Sequence, residues 1–195
     1  MATEQANVDI WTVSLTTPAP EHLSEDEIAR ANRFKFEEDR IRWIRARSSL
    51  RLILSMYAGD DPVRLGFVYG EHGKPALLPV SDVEFNLSHA GDWALIAVTR
   101  SVPVGIDVER IRPNVEMSAL LRRLGETDLP DTTPELYHRW TRREARSKAA
   151  GGALFDHPPA NVYAVDIDAP EGYAASAALV GYEPAVHYCC ERKQQ

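Results

Sequence analysis

The fold of this chain is constrained most by one alternating stretch, Val104-Gly105-Ile106-Asp107-Val108-Glu109. Apolar residues occupy every second position, which is typical of a β-strand with one buried face. Both carboxylates then lie on the opposite face of the strand. We therefore predict a strand over residues 104–109 that carries two acidic side chains away from its apolar face.

A second stretch predicts a helix that adds to this acidic face. Trp140, Glu144 and Lys148 recur every four residues, which places them on one side of a helix. Asp107, Glu109 and Glu144 offer oxygen ligands without a thiol or a paired imidazole, and this set suits a hard cation such as Mg²⁺ that also binds phosphates. We interpret the two stretches as a cation-and-phosphate site. A routine surface ion pair between Glu144 and Lys148 is the alternative that the residues leave open.

Composition limits the class of protein. The 195 residues carry a formal net charge of −7, which argues against a general nucleic-acid binder. No apolar run is long enough for a membrane span, and no basic segment leads into an apolar one near the N-terminus. The two cysteines, Cys189 and Cys190, are adjacent, so they imply no disulfide framework and fit a reducing compartment. We expect a cytoplasmic protein with no nucleic-acid or membrane partner.

Arginines crowd one segment of this acidic chain. They are Arg40, Arg42, Arg45, Arg47 and Arg51. Such a strip indicates a surface for an anionic ligand or partner. A solvated helix face, balanced by the acidic residues 37–39, is the other interpretation.

Periodicity and turn residues divide the chain into short strands and helices. Two long helices are predicted over residues 37–57 and 135–150, and two shorter ones over residues 25–32 and 115–124, the first of these with Ser24 as its N-cap. The predicted strands cover residues 10–15, 67–69, 76–78, 83–87, 93–99, 104–109, 161–167 and 173–180.

A weak internal repeat indicates two similar halves. Residues 42–48 resemble residues 139–147, and residues 93–97 resemble residues 173–177. We predict an α+β fold of two α/β subdomains related by a pseudo-twofold axis. Each would be a small, mostly antiparallel sheet packed on a long helix, with residues 1–101 in one half and 102–195 in the other. A ligand site is expected at their interface.

Four short motifs occur in a characteristic order. They are Gly73-Lys74-Pro75, Phe85-Asn86-Leu87-Ser88-His89, Gly105-Ile106-Asp107-Val108-Glu109 and Trp140-x-x-Arg143-Glu144-x-x-x-Lys148. In these motifs the chain resembles the 4′-phosphopantetheinyl transferases, in particular the larger pseudo-dimeric, surfactin-synthetase-activating (Sfp) type. The resemblance runs from about residue 33 to residue 148, with a fainter match at residues 173–175.

The resemblance implies a reaction and its partners. Members of the family move the 4′-phosphopantetheine arm of coenzyme A to a serine of an apo acyl or peptidyl carrier protein and release adenosine 3′,5′-bisphosphate. They use Mg²⁺, with Mn²⁺ as the alternative metal. We expect a monomer, because an internally duplicated chain has less need of a second copy.

The resemblance also assigns roles to single residues. Asp107, Glu109 and Glu144 match the metal ligands, and Glu144 is the candidate base for the attacking serine. Lys148 matches the lysine near the α-phosphate, which would stabilise the leaving group. The remaining matches are coenzyme A contacts, namely Arg30, Arg33, Lys74, Ser88 and His89.

Three departures from the family pattern leave other functions open. Arg143 replaces a lysine, residues 110–139 form a shorter segment than usual, and Glu27 lies where a basic residue is common. One alternative is a divergent homologue that binds coenzyme A but has lost or altered catalysis in a biosynthetic pathway. Another is a non-catalytic module that recognises carrier proteins. The carrier protein itself is not specified by the sequence.

Overall fold

Short strands of this chain form two sheets and a two-stranded hairpin, and helices connect them. The computed structural model describes residues 3–18, 20–113, 116–152 and 158–189, and these residues contain nine strands and four helices. The strands are β1 (Gln5–Ser14), β2 (Gly66–Tyr69), β3 (Pro75–Leu78), β4 (Val83–Ala90), β5 (Trp93–Arg100), β6 (Val104–Arg110), β7 (Val162–Asp166), β8 (Tyr173–Val180) and β9 (Glu183–Cys189). The helices are α1 (Glu25–Ala31), α2 (Glu37–Ala58), α3 (Met117–Arg123) and α4 (Thr133–Ala149).

The two sheets share one arrangement. In the first sheet the strand order is β4-β5-β1-β9, and in the second it is β6-β8-β7. In both cases a first strand is followed along the chain by a long helix and then by two antiparallel strands. The later of these two strands pairs with the first one, β5 with β1 and β8 with β6. The predicted α+β class is confirmed. The pseudo-twofold relation and the division at residue 101 stay predictions.

Strand β9 was not predicted, and it changes the composition of the first sheet. It pairs with β1 in parallel, with Gln5 opposite Glu183, so a strand from the second half of the sequence completes this sheet. Its sequence carries Pro184 and lacks clear alternation of apolar and polar residues, because an edge strand is only partly covered.

Most other predicted elements are confirmed within a few residues. Strand β1 begins five residues earlier than predicted, at Gln5. The two long helices end close to the expected glycines, Gly59 and Gly151. The predicted helix over 115–124 is found as α3 (Met117–Arg123), while Val115 and Cys190 lie outside the described residues.

The alternation in β6 has the predicted consequence. Val104, Ile106 and Val108 are buried in a core that both sheets share. The other face of β6 packs on α4 at very short range: a Cβ atom added to Gly105 would lie 2.0 Å from the Ala145 carbonyl oxygen. Only glycine allows the helix backbone to approach the strand this closely.

The arginine strip of α2 is largely structural. The guanidinium groups of Arg47 and Arg51 both bind the carboxylate of Glu27, and all three side chains are buried or nearly so. Glu27 also accepts a hydrogen bond from the Ser24 N–H at 3.0 Å, at the N-cap that the sequence predicts. The other three arginines also have protein acceptors: Arg40 binds Glu37, Arg42 binds Asp92, and Arg45 binds the Leu15 carbonyl. Neither sequence interpretation anticipates this buried network.

Within the part of the chain that the structure describes, no helix is long and apolar enough to cross a membrane.

Candidate active site

Strands β4 and β6 lie side by side although they belong to different sheets. Two buried β4 side chains bridge them. Asn86 Oδ1 accepts a hydrogen bond from the Ile106 N–H at 2.9 Å, and Ser88 Oγ donates to Asp107 Oδ1 at 2.9 Å. Ser88 Oγ also lies 3.4 Å from the N–H of Val108, which donates to it. Side chains therefore satisfy backbone groups at this junction, and they fix the carboxylate of Asp107.

The central ion pair of the site joins this junction to α4. Lys148 Nζ lies 2.6 Å from Asp107 Oδ1 and 3.2 Å from Ser88 Oγ. Lys148 therefore pairs with a carboxylate of β6. The alternative interpretation, a surface ion pair with Glu144 of the same helix, does not account for this contact. Asp107 is 4 % exposed, and burial raises its pKa against the opposing effects of Lys148 and Ser88.

Two further carboxylates lie close to this pair. Burial, followed by the charges of Asp107 and Glu109, raises the pKa of Glu144 to about 7. The pKa of Glu109 is also raised, first by burial and then by Asp107, while a hydrogen bond with the Trp140 side chain opposes that shift. Asp107 raises the pKa of both glutamates and Glu109 raises that of Glu144, so the three predicted metal ligands form one electrostatic cluster.

The cluster fits a hard cation in its chemistry. Asp107 Oδ2 and Glu144 Oε1 are buried, and neither has a hydrogen-bond partner among the described residues. Buried acceptor oxygens of this kind need a partner, and oxygen ligands are what Mg²⁺ takes. The geometry is less complete than the chemistry, because Asp107, Glu109 and Glu144 are not arranged so that all three could hold one ion, and no other such group of three occurs among the described residues. A bound Mg²⁺ would therefore need further oxygens from water or a phosphate ligand.

A groove extends from Lys148 toward α1, and its lining includes the acidic Asp26 and Glu27 beside several basic side chains. One cavity of about 360 Å³ is lined by Arg30, Trp43, Arg47 and His89, among others. A second, of about 210 Å³, is lined by His72, Lys74, Lys148 and Gly152, among others. Both cavities are also lined by Pro75, Asn86 and Leu87, so they adjoin along β4. We call the two together the β4 groove.

The residues predicted to contact coenzyme A lie in different cavities of the structure. Arg30 and His89 line the first cavity of the β4 groove, and the Arg30 guanidinium stacks over the Trp43 ring at 5.5 Å from its centroid. Burial, and then the charge of Lys148, lower the pKa of His89. Arg33 lies in a neighbouring cavity of about 790 Å³, which Arg30 also lines.

Lys74 has an unexpected environment. Its ammonium donates to two backbone carbonyls, that of Val104 at 2.9 Å and that of Lys148 at 3.0 Å. Burial lowers the pKa of Lys74, and the charge of Glu84 opposes this effect.

Some site residues were missed by sequence reasoning. Asn86 was part of a quoted motif but received no role, although it shares a strand face with Ser88. Trp43 lines the groove from α2 without any sequence signal, whereas Arg47, which also lines it, belongs to the arginine strip that one sequence interpretation assigns to an anionic ligand or partner. Arg143, the substituted residue of the helix motif, is buried and lies 3.2 Å from Glu126, just beyond α3.

Comparison with known proteins agrees with these motifs. The family model described as 4′-phosphopantetheinyl transferase, N-terminal, matches residues 12–101. The chain is 36% identical over 165 residues to the 4′-phosphopantetheinyl transferase HetI of Nostoc sp., covering 75% of this chain and 70% of that protein. It is 29% identical over 170 residues to a 4′-phosphopantetheinyl transferase of Bacillus subtilis, with coverages of 83% and 74%. Over 125 residues it is 36% identical to AcpT of Escherichia coli K12, covering 60% of each.

Proposed function

This chain belongs to the 4′-phosphopantetheinyl transferase family, and we propose that it transfers the 4′-phosphopantetheine arm of coenzyme A to a serine of an apo carrier protein. Adenosine 3′,5′-bisphosphate would be the second product. One observation carries the proposal: the buried oxygens Asp107 Oδ2 and Glu144 Oε1 have no partner among the described residues, and Asp107 pairs with Lys148, which lines one cavity of the β4 groove. Such an arrangement suits a ligand that brings both phosphate and metal charge.

Basic side chains of the β4 groove and of the neighbouring cavity would bind the substrate. Arg30, Arg33 and His89 would contact the phosphates and adenosine of coenzyme A, and Ser88 with Lys148 would contact the pyrophosphate. In this proposal residues 1–101 supply most nucleotide contacts. Residues 102–195 supply the metal ligands and contacts with the carrier protein.

The reaction itself is a phosphoryl transfer. The serine oxygen of the carrier forms a bond to the phosphorus that bears pantetheine, and the bond from that phosphorus to the adenosine bisphosphate oxygen breaks. Glu144 would accept the serine proton, because it is the carboxylate that the helix supplies beside the Lys148–Asp107 pair. Lys148 would neutralise charge on the departing bisphosphate. When Mg²⁺ is bound by Asp107, Glu109 and Glu144, it would supply further charge stabilisation at the pyrophosphate.

The setting of the reaction is part of the same proposal. A carrier protein of a fatty-acid, polyketide or peptide pathway would be the partner, and the enzyme would act in the cytoplasm as a monomer.

The test is intact-protein mass spectrometry on apo carrier proteins from several pathways. Each carrier is incubated with this protein, coenzyme A and Mg²⁺, and a parallel sample contains EDTA. We expect one phosphopantetheine arm to be added to at least one carrier, and EDTA to prevent the addition. If no carrier gains the arm while calorimetry detects coenzyme A binding, the transferase proposal is wrong.

A further inference from the structure

The Lys74 ammonium joins three elements of the fold. Lys74 lies in the turn between β2 and β3, Val104 is the first residue of β6, and Lys148 is in the last turn of α4. Its two hydrogen bonds, at 2.9 and 3.0 Å, therefore tie a loop of the first half to a strand and a helix of the second half. An ammonium has three N–H donors, so at most one remains for a ligand.

The end of α4 is a place where a cation is favoured. The last carbonyls of a helix have no partner within the helix and carry a partial negative charge. Gly105 of β6 has no side chain, so the same turn of α4 can lie directly against the strand. A Cβ atom added to Gly105 would lie 2.4 Å from the Ala149 nitrogen. Lys74 thus binds the two elements beside this close approach.

The catalytic lysine is located by this junction. The Lys148 carbonyl accepts from Lys74, while its own ammonium reaches Asp107 at 2.6 Å and Ser88 at 3.2 Å. A displacement of the last helical turn would move the Lys148 side chain away from both partners.

We propose that Lys74 is a positioning residue that holds the last turn of α4 against β6 and so sets the position of the Lys148 ammonium. This role differs from the coenzyme A contact that the resemblance implies for the lysine of this motif. The kinetic part of the inference rests on the proposed transferase function, whereas the structural part does not.

A double-mutant cycle separates positioning from ligand contact. We expect Lys74→Met to lower kcat by about 10- to 100-fold. The Kd for coenzyme A, measured by calorimetry, should rise no more than it does in Lys148→Met, because Lys148 itself would contact the pyrophosphate. If Lys74 acts through Lys148, adding Lys74→Met to Lys148→Met causes little further loss. Arg64→Met removes an exposed positive charge from the same half and should leave kcat unchanged. Multiplicative losses, or a rise in Kd with unchanged kcat, would overturn the proposal.

Hydrogen exchange tests the structural part without any transfer reaction. In Lys74→Met, amides in the last turn of α4 and the start of β6 should exchange faster, while amides of α1 keep their protection. Lys74→Arg retains donors at this position and should restore part of the protection. Unchanged exchange in both segments would refute the positioning role. A wild-type protein that modifies no carrier would refute only the proposed function.

Discussion

Lys148 Nζ lies 2.6 Å from Asp107 Oδ1, so the last turn of α4 and the middle of β6 meet through one ion pair. The Ser88 hydroxyl contacts both residues, which brings β4 into the same site. These three elements come from distant parts of the sequence. The position of this pair therefore depends on how the two sheets and α4 pack.

Replacing Asp107 by asparagine should remove the charge and keep the shape of the side chain. We expect transfer to a carrier protein to fall by about 100-fold or more, because Asp107 would lose the charge with which it binds both the cation and Lys148. The melting temperature should change by only a few degrees. Asp168→Asn, at an exposed position, is the matched control and should transfer at the wild-type rate. Near-normal turnover in Asp107→Asn would contradict the assigned role.

The raised pKa of Glu144 predicts how stability depends on pH. Folding raises the pKa of Glu144 from its ordinary value of 4.5 to about 7. Between pH 4.5 and pH 7 the folded state therefore binds more protons than the unfolded state. The free energy of unfolding therefore falls as the pH rises from 4.5 to 7. Glu144→Gln removes this contribution, so the variant should gain stability relative to the wild type at pH 8 and lose that gain below pH 4.5. Thermal unfolding of both proteins across this range checks the sign. Parallel pH curves would refute it.

Proton competition should also affect metal binding. A protonated carboxyl is a poor cation ligand, and Glu144 protonates below a pH of about 7. We expect Mg²⁺ affinity, measured by calorimetry, to fall about tenfold for each pH unit below that value while one proton competes. In Glu144→Gln the affinity should be lower and should depend less on pH over the same interval. Affinity that stays constant from pH 8 to pH 5 would remove Glu144 from the metal site.

Local periodicity predicted β6 and α4 well, because each has one clearly apolar or functional face. It could not predict the partner of Lys148, since the distance between α4 and β6 is set by Gly105 and by tertiary packing. The role of Lys74 was also hidden, because its acceptors are backbone carbonyls, which have no side-chain signature.

Other features escaped prediction because their causes are not local. Strand β9 is a partly exposed edge strand that contains Pro184, so its residues do not alternate clearly. Glu27 departs in charge from the family pattern, and the structure supplies the reason: two arginines from α2 bind its carboxylate.

The Glu27 network predicts a large effect of a small substitution. Glu27→Gln would leave the guanidinium groups of Arg47 and Arg51 without their counter-charge in a buried setting. We expect the free energy of unfolding to fall by about 3–5 kcal/mol, the range found when one partner of a buried ion pair is removed. Glu25→Gln, at an exposed position on the same helix, should change it by less than about 0.5 kcal/mol. Urea unfolding of the two variants provides the comparison. Equal effects would mean that the network contributes nothing to stability.

Gly105→Ala tests the close approach of α4 to β6. The added Cβ would lie 2.0 Å from the Ala145 carbonyl oxygen and 2.4 Å from the Ala149 nitrogen, so the helix backbone has to move. We expect a loss of about 1–3 kcal/mol in the free energy of unfolding, the usual cost of overpacking. Transfer should fall further than stability alone explains, because the shift separates Lys148 from Asp107. Gly70→Ala is the matched control, since its Cβ would meet its nearest neighbour at an ordinary 3.7 Å. A Gly105→Ala protein that transfers at the wild-type rate would show that the site tolerates movement of α4.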